Sequence, residues 1–401
     1  MVAQKPSENV DSWLNRSARG GAPRLATVLC LVLWACVGWG QSSPPAAQHV
    51  ARAEELANQG DLEAAAKELR QAIELDPESA TARVALGEVL GAQGKAEESI
   101  REYRQAIQIQ PKLAEAHNQL GNALAANGDL DSAIAEYRQA ARLSPDSYEV
   151  RSNLADALSE KGDLDGAIAE LRAAIHLKPD QADLHNNLGS LLQDRAEIDG
   201  AIAEYRQSIE LNPNVGAVHN NLGSALQDKG DMDGAVREYR EAVRLSPDSA
   251  ESHSNLCLAL KAKEDWGGAL PECREAVRLE PDEPGLHINV GRLLKRAGDL
   301  NGAIAEYREA LRLQPASFVT HTDLCAALAA KGDVDAALKE CRAALQLKRD
   351  FAPAHDTLGD VLLNKGDPAA ALKEYQEALR LSPRNHDYKV KTEKLATELE
   401  K

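Results

Sequence analysis

Residues 114–147, AEAHNQLGNALAANGDLDSAIAEYRQAARLSPDS, decide the fold. Apolar Ala116, Leu120, Ala123 and Leu124 recur at helical spacing, which predicts a first helix from about Ala114 to Asn127. Gly128 supplies a left-handed stop, because a residue without Cβ adopts positive φ freely. Asp129 or Asp131 is then placed to accept from the free N–H groups that open a second helix. That helix runs to about Leu143, and Pro145 ends it, lacking an N–H and clashing with the preceding turn. The stretch is a helical hairpin.

The hairpin repeats every 34 residues. Prolines stand at 77, 111, 145, 179, 213, 247, 281 and 315 and again at 383, with Arg349 in the vacant place. Mid-unit glycines recur from Gly60-Asp61 to Gly366-Asp367, while Ala196-Glu197 and Glu264-Asp265 fill the two places without glycine. One such hairpin has two amphipathic faces and cannot bury both alone, whereas stacking yields a continuous core. Tyr103, Tyr137, Tyr205, Tyr239, Tyr307 and Tyr375 share one second-helix place and are read as core fillers.

His117, Leu120-Gly121, Leu124, Ala133, Tyr137, Ala140 and Pro145 resemble the tetratricopeptide repeat pattern, and His219 to Pro247 gives it again. The resemblance covers residues 46–383, ten consecutive units, with Arg52 departing from it in the first. It implies an all-α α-solenoid, a right-handed superhelix of ten hairpins with the first helices lining the concave side. Residues 384–401 read as a polar C-terminal capping helix. The implied function is a non-enzymatic protein–protein interaction scaffold that holds an extended segment in the concave groove. The alternative is a structural adaptor that docks folded components of an envelope or secretion assembly.

Composition agrees with many small contacts. Good helix formers (Ala, Leu, Glu, Lys, Arg, Gln) dominate, whereas aromatics are 3%. The net charge of −17 argues against nucleic acid, whose binding rewards Lys and Arg surfaces through counterion release. At the N-terminus, Lys5, Arg16, Arg19 and Arg24 precede an uncharged run from Leu25 to Gly40. Residues 1–40 therefore read as a signal peptide cleaved near Gln41, or as an uncleaved signal anchor, the run being shorter than the ~20 residues of a spanning helix. A lipoprotein reading through Cys36 fits poorly with the bulky Trp34. Each places the remainder outside the cytoplasm, periplasmic or secreted, with residues 25–40 as a membrane tether if they are retained. Residues 41–45 read as a linker.

Chemistry is hard to find. Eight histidines, at 49, 117, 185, 219, 253, 287, 321 and 355, share one register. Equivalent helices of stacked units lie on the order of 10 Å apart, whereas zinc ligands sit ~2.0–2.1 Å from one ion. The series is therefore a half-buried amphipathic ring, and no metal is expected. There is no His-Glu-x-x-His, no Cys-x-x-Cys and no Gly-rich phosphate loop. Glu102, Glu136, Glu170, Glu204 and Glu238 follow the repeat and read as a solvated face. No catalytic residue and no cofactor are assigned.

The informative surface series is asparagine. Asn153, Asn187, Asn221, Asn255 and Asn289 occupy one first-helix place in five consecutive units, and Asn118, Asn186 and Asn220 stand one place earlier in theirs. An amide both donates and accepts, so it pairs with any extended backbone regardless of side chain. The series resembles the asparagine ladder in the repeat superhelix of the O-linked N-acetylglucosamine transferases. The other reading is inheritance of a soluble residue by unit duplication. The family's carboxylate clamp, which wants Lys and Arg on inner first-helix places, is not expected. Val84, Asn118, Ser152, Asn186 and Asn220 hold those places, and Lys261, Arg292, Lys295 and Arg296 come only later.

Cys257 and Cys273 lie 16 residues apart, as do Cys325 and Cys341, and each pair straddles its hairpin turn symmetrically. Equal distance from an antiparallel turn gives equal height. Each pair is expected to face across one hairpin, where other units usually have Gly and Tyr. A disulfide persists there in an oxidising compartment, and two buried free thiols are the alternative.

Overall fold

The computed structural model describes residues 44–400. The leader at 1–40 lies outside the described residues. Among the described residues there are 21 α-helices and no strand. The described residues divide into two compact units, with the boundary between Leu191 and Leu192.

The first unit holds four hairpins: α1 (Pro44–Asn58) with α2 (Leu62–Leu75), α3 (Ala80–Ala92) with α4 (Ala96–Ile109), α5 (Ala114–Ala126) with α6 (Leu130–Leu143), and α7 (Tyr148–Glu160) with α8 (Leu164–Leu177). Helix α9 (Ala182–Asp194) contains the boundary between the units, and α10 (Ile198–Leu211) lies in the second. Five more hairpins follow there: α11 (Gly216–Lys229) with α12 (Met232–Leu245), α13 (Ala250–Ala262) with α14 (Trp266–Leu279), α15 (Pro284–Arg296) with α16 (Leu300–Leu313), α17 (Phe318–Lys331) with α18 (Val334–Leu347), and α19 (Ala352–Asn364) with α20 (Pro368–Leu381). Helix α21 (His386–Leu399) packs on α20, burying Thr392 and Leu395 beside Ala371 and Tyr375.

Local chemistry sets these boundaries. Eight turn glycines adopt positive φ, and Ala196 and Glu264 are forced to φ 61° and 63° in the same place. Of the two capping candidates, Asp129 is the cap, accepting from the Ser132 N–H at 3.2 Å. Asp131 instead pairs with Lys161 of the next hairpin. Each α5-type to α6-type contact is set by complementary sizes at one level. A Cβ on Gly121 would sit 2.6 Å from the Tyr137 ring, and one on Gly223 would sit 2.7 Å from Tyr239. In hairpin four, larger Ala155 stands in the same register opposite smaller Leu171. Substituting Gly223→Ala overpacks this contact and is expected to destabilise by about 1–3 kcal/mol in chemical denaturation; an unchanged midpoint would mean that Tyr239 repacks freely.

Hairpins seven and nine solve the same packing problem with cysteine. Cys257 is joined to Cys273 and Cys325 to Cys341, with Cα separations of 5.3 and 5.4 Å, inside the range a disulfide needs. All four are buried.

Candidate protein-binding surface

The histidine register is built into a repeated three-part contact. His219 Nδ1 lies 2.8 Å from the Glu238 carboxylate across the hairpin, and its Nε2 lies 3.2 Å from the Pro213 carbonyl oxygen. His117, His253, His287, His321 and His355 repeat it, with Arg349 supplying the carbonyl to the last. A carbonyl only accepts, so Nε2 must donate, and an ionised carboxylate asks Nδ1 to donate as well. Arg151 shows that the place wants two donors. It fills the same register in hairpin four and donates to Glu170 at 2.9 Å and to the Pro145 carbonyl at 3.1 Å. Arg83 does the same with Glu102 and Pro77.

This corrects the reading of the glutamates. Glu102, Glu136, Glu170 and Glu238 are not a solvated face; each is a half-buried acceptor tied to the first helix of its own hairpin. The signal was present in the sequence as a fixed spacing of 19 residues from His or Arg to Glu. For His219 the Glu238 hydrogen bond holds the pKa above 6.5, desolvation opposing.

The first helices also bridge to one another. Asn153 Nδ2 donates to Asn118 Oδ1 at 3.0 Å in the first unit, and Asn255 Nδ2 donates to Asn220 Oδ1 at 3.1 Å in the second. Asn220 donates in turn to Glu251 at 3.2 Å, and Asn186 contacts Asn187 at 3.5 Å. Lys261 Nζ donates to Asn289 Oδ1 at 3.3 Å. Asn118, Asn153, Asn186, Asn187, Asn221, Asn255 and Asn289 are half-buried and Asn220 is buried. The amides thus form part of the joints between first helices rather than a freely solvated stripe. At the C-terminal end Lys391 of α21 closes the same face, its Nζ 2.9 Å from both Asp356 and Asp360.

One place on this face varies with the tyrosine beneath it. The residue after the packing glycine accepts from the tyrosine hydroxyl at Asn122 (2.7 Å from Tyr137) and Asp360 (2.6 Å from Tyr375). At Tyr239 a hydrogen bond with Ser224 works against the burial that raises the tyrosine pKa. Where cysteine replaces tyrosine there is no hydroxyl to satisfy, and the place is apolar, Leu258 and Ala326. Other positions depart from this: the Tyr205 hydroxyl donates to Gln193 Oε1 at 3.1 Å instead. Asp156 stands in register with Leu171, which offers no hydroxyl, and desolvation pushes its carboxyl up to about 6. Arg292 stands over Tyr307, and a guanidinium cannot accept.

Among the described residues no group of three His, Cys, Asp or Glu side chains converges on a metal-sized point, and no helix is long and apolar enough to cross a membrane.

Family models described as "Tetratricopeptide repeat" match residues 124–192, residues 186–250 and 255–318, and residues 352–385. One described as "TPR repeat" matches residues 53–94 and 90–128. No curated protein matches the chain. Solved structures with a similar fold include YrrB, described as a TPR protein with an unusual peptide-binding site. It is 20% identical over 50% of this chain and 99% of its own, with a TM-score of 0.42. PilF of Pseudomonas aeruginosa is 22% identical over 55% of this chain and 98% of its own, with a TM-score of 0.47. The Cut9–Hcn1 hetero-tetramer of the APC/C gives 16% over 87% and 76%, with a TM-score of 0.46.

Proposed function

This chain belongs to the tetratricopeptide repeat family, and on that premise we propose that it is a non-enzymatic scaffold that binds an extended protein segment along its first helices. Repeats of this family generally serve protein interaction rather than catalysis, which supports a protein partner. The observation that carries the finer reading is the amide series of the second unit. Asn220, Asn221, Asn255 and Asn289 recur from one first helix to the next, half-buried or buried, on a face that the hairpins' own packing keeps continuous. An amide has two N–H donors and a carbonyl with two lone pairs, so Asn255 keeps hydrogen-bonding capacity after donating once to Asn220. An extended backbone presents N–H and C=O groups alternately and can use it.

The triple variant Asn221→Ala, Asn255→Ala, Asn289→Ala tests the reading by capture from an extract of the native cell. Loss of partners with unchanged helical circular dichroism is expected. Unchanged capture would favour the adaptor reading, in which second-helix and edge surfaces dock folded components.

The basic stretch and apolar run within residues 1–40 support export, by cleavage near Gln41 or with residues 25–40 retained as a membrane tether. Fractionation and N-terminal sequencing check it: a mature start near Gln41, or an intact Met1 in the membrane fraction, is expected. Soluble full-length protein in the cytoplasm would contradict export.

A further inference from the structure

The first unit carries carboxylates that no cation answers. Glu54, Glu88 and Asp156 fill one place of α1, α3 and α7, with Asn122 in that place of α5. Glu115 stands in the first turn of α5, close enough for its charge to act on Glu88. The basic side chains of these four helices, Arg52, Arg83 and Arg151, are engaged elsewhere, by Glu68, Glu102 and Glu170 of the second helices. Glu88 accepts from the neutral amide of Gln119 at 2.6 Å. Among the described residues none of the four acids forms an ion pair.

Water reaches all four: Glu115 and Asp156 are exposed, and Glu54 and Glu88 are half-buried. Surrounding protein nonetheless desolvates them. It pushes Glu88 up to about 7, the Glu115 charge adding to the rise, and Asp156 up to about 6. Glu54 and Glu115 are raised for the same reason. A side chain open to water and still desolvated stands in a hollow, and an opposite charge brought to it favours the ionised form.

The same chain shows what such a place takes. In the 34-residue register Asp360 holds the place of Glu88, and Lys391 holds that of Gln119. There the Lys391 ammonium lies 2.9 Å from Asp360 and 2.9 Å from Asp356. Hairpin ten thus receives its cation from α21. Between α3 and α5 the corresponding donor is an amide, and the carboxylate keeps its charge unmatched.

We propose that the first helices of hairpins one to four bind lysine or arginine side chains of an extended protein segment, at a subsite centred on Glu88 and Glu115 and flanked by Glu54 and Asp156. The proposal rests on the scaffold reading above, and gives the segment its chemistry and a contact region in the first unit. Glu54 and Glu88 occupy the same place in consecutive first helices, on the order of 10 Å apart. An extended chain advances about 3.3 Å per residue, so two basic residues three apart match the two acids. A divalent metal is a weaker match, because among the described residues no three His, Cys, Asp or Glu side chains converge to hold one.

The test uses the full chain, immobilised, and two libraries of peptides blocked at both ends, one with Lys-x-x-Lys and one with Gln-x-x-Gln fixed among random uncharged residues. The basic library is expected to be retained at least tenfold over its neutral twin. Glu88→Gln with Glu115→Gln should remove the preference without lowering thermal stability, since both carboxylates are desolvated and unmatched. Gln119→Lys copies the Lys391 arrangement, supplies the cation from within, and should remove the preference with both acids still in place. Equal retention of both libraries, retention of neither, or a preference that survives both variants would overturn the acidic subsite. Tighter binding of free spermidine than of the basic peptides would overturn the choice of a protein segment. The scaffold reading is scored separately, because Asn221→Ala, Asn255→Ala and Asn289→Ala all lie in the second unit.

Discussion

Reduction of Cys257–Cys273 is expected to open hairpin seven while hairpin nine, joined by Cys325–Cys341, stays folded. The difference lies in what each link holds together. Helix α14 opens Trp266-Gly267-Gly268, with two glycines in its first turn, where each is a poorer helix former than alanine by at most about 0.8–1 kcal/mol. It also contains Pro271, sixth in the helix and exposed, whose missing N–H removes a bond to the Gly267 carbonyl at a cost of about 3 kcal/mol. The turn before it holds Glu264 at φ 63°, where the other second-unit turns from 230 to 366 have glycine, adding roughly 1 kcal/mol. The Trp266–Arg296 stack returns about 0.5–1 kcal/mol. Helix α18 has no such faults, opening Val334-Asp335-Ala336-Ala337-Leu338 after a glycine turn. Closing a loop of this length stabilises by about 3 kcal/mol in the chain-entropy picture, a factor of roughly a hundred in local opening. Hydrogen exchange at residues 266–279 should therefore accelerate about a hundredfold on adding a thiol reductant, with far less change at 334–347. Glu264→Gly should recover part of the loss. The two cysteine readings separate in the same experiment: four alkylatable thiols before reduction, or no effect of the reductant, would mean buried free thiols.

Stability of the second unit is expected to fall as pH rises above 6.5, and His219 is the residue to follow. The hydrogen bond to Glu238 raises its pKa from 6.5, the Pro213 carbonyl and Glu241 add to this, and desolvation works against them. Arg244 pairs with Glu241 and limits the contribution of that carboxylate. The folded chain thus holds the proton more tightly than the unfolded chain. That contribution is complete below pH 6.5 and disappears as pH climbs through the raised folded value. His219→Arg places a permanent cation where Arg151 already works, so it should preserve the midpoint at low pH and flatten this part of the slope. His219→Phe leaves the Glu238 carboxylate and the Pro213 carbonyl unpaired and should cost about 1.5–3 kcal/mol at pH 6. An unaltered slope in the arginine variant would show that the contact does not hold a proton.

The hairpins were legible because their punctuation is local. Gly128 and Pro145 act on their own backbone, and a 34-residue recurrence multiplies each signal. Burial of the tyrosine series was legible for the same reason. The role of the glutamates was not, because Glu136 meets His117 only after the chain has turned back on itself. A periodicity argument sees Glu136 on the polar side of α6 and cannot see which helix covers that side. Arg83 and Arg151 held the missing clue, since a guanidinium in the place of an imidazole points to shared donor geometry rather than to size. The asparagine places were legible, but not that Asn118 pairs with Asn153 and Asn220 with Asn255, because that depends on the stagger between neighbouring first helices. Seeing that the Tyr307 hydroxyl is left unpaired required knowing which residue each tyrosine hydroxyl reaches.

The measurement that bears most directly on the scaffold reading is hydrogen exchange of the full chain with and without a captured partner, resolved by helix. Binding along the first helices protects residues 216–229, 250–262 and 284–296 and leaves 232–245, 266–279 and 300–313 unchanged. Protection confined to the second helices, with the first helices unaffected, would contradict it.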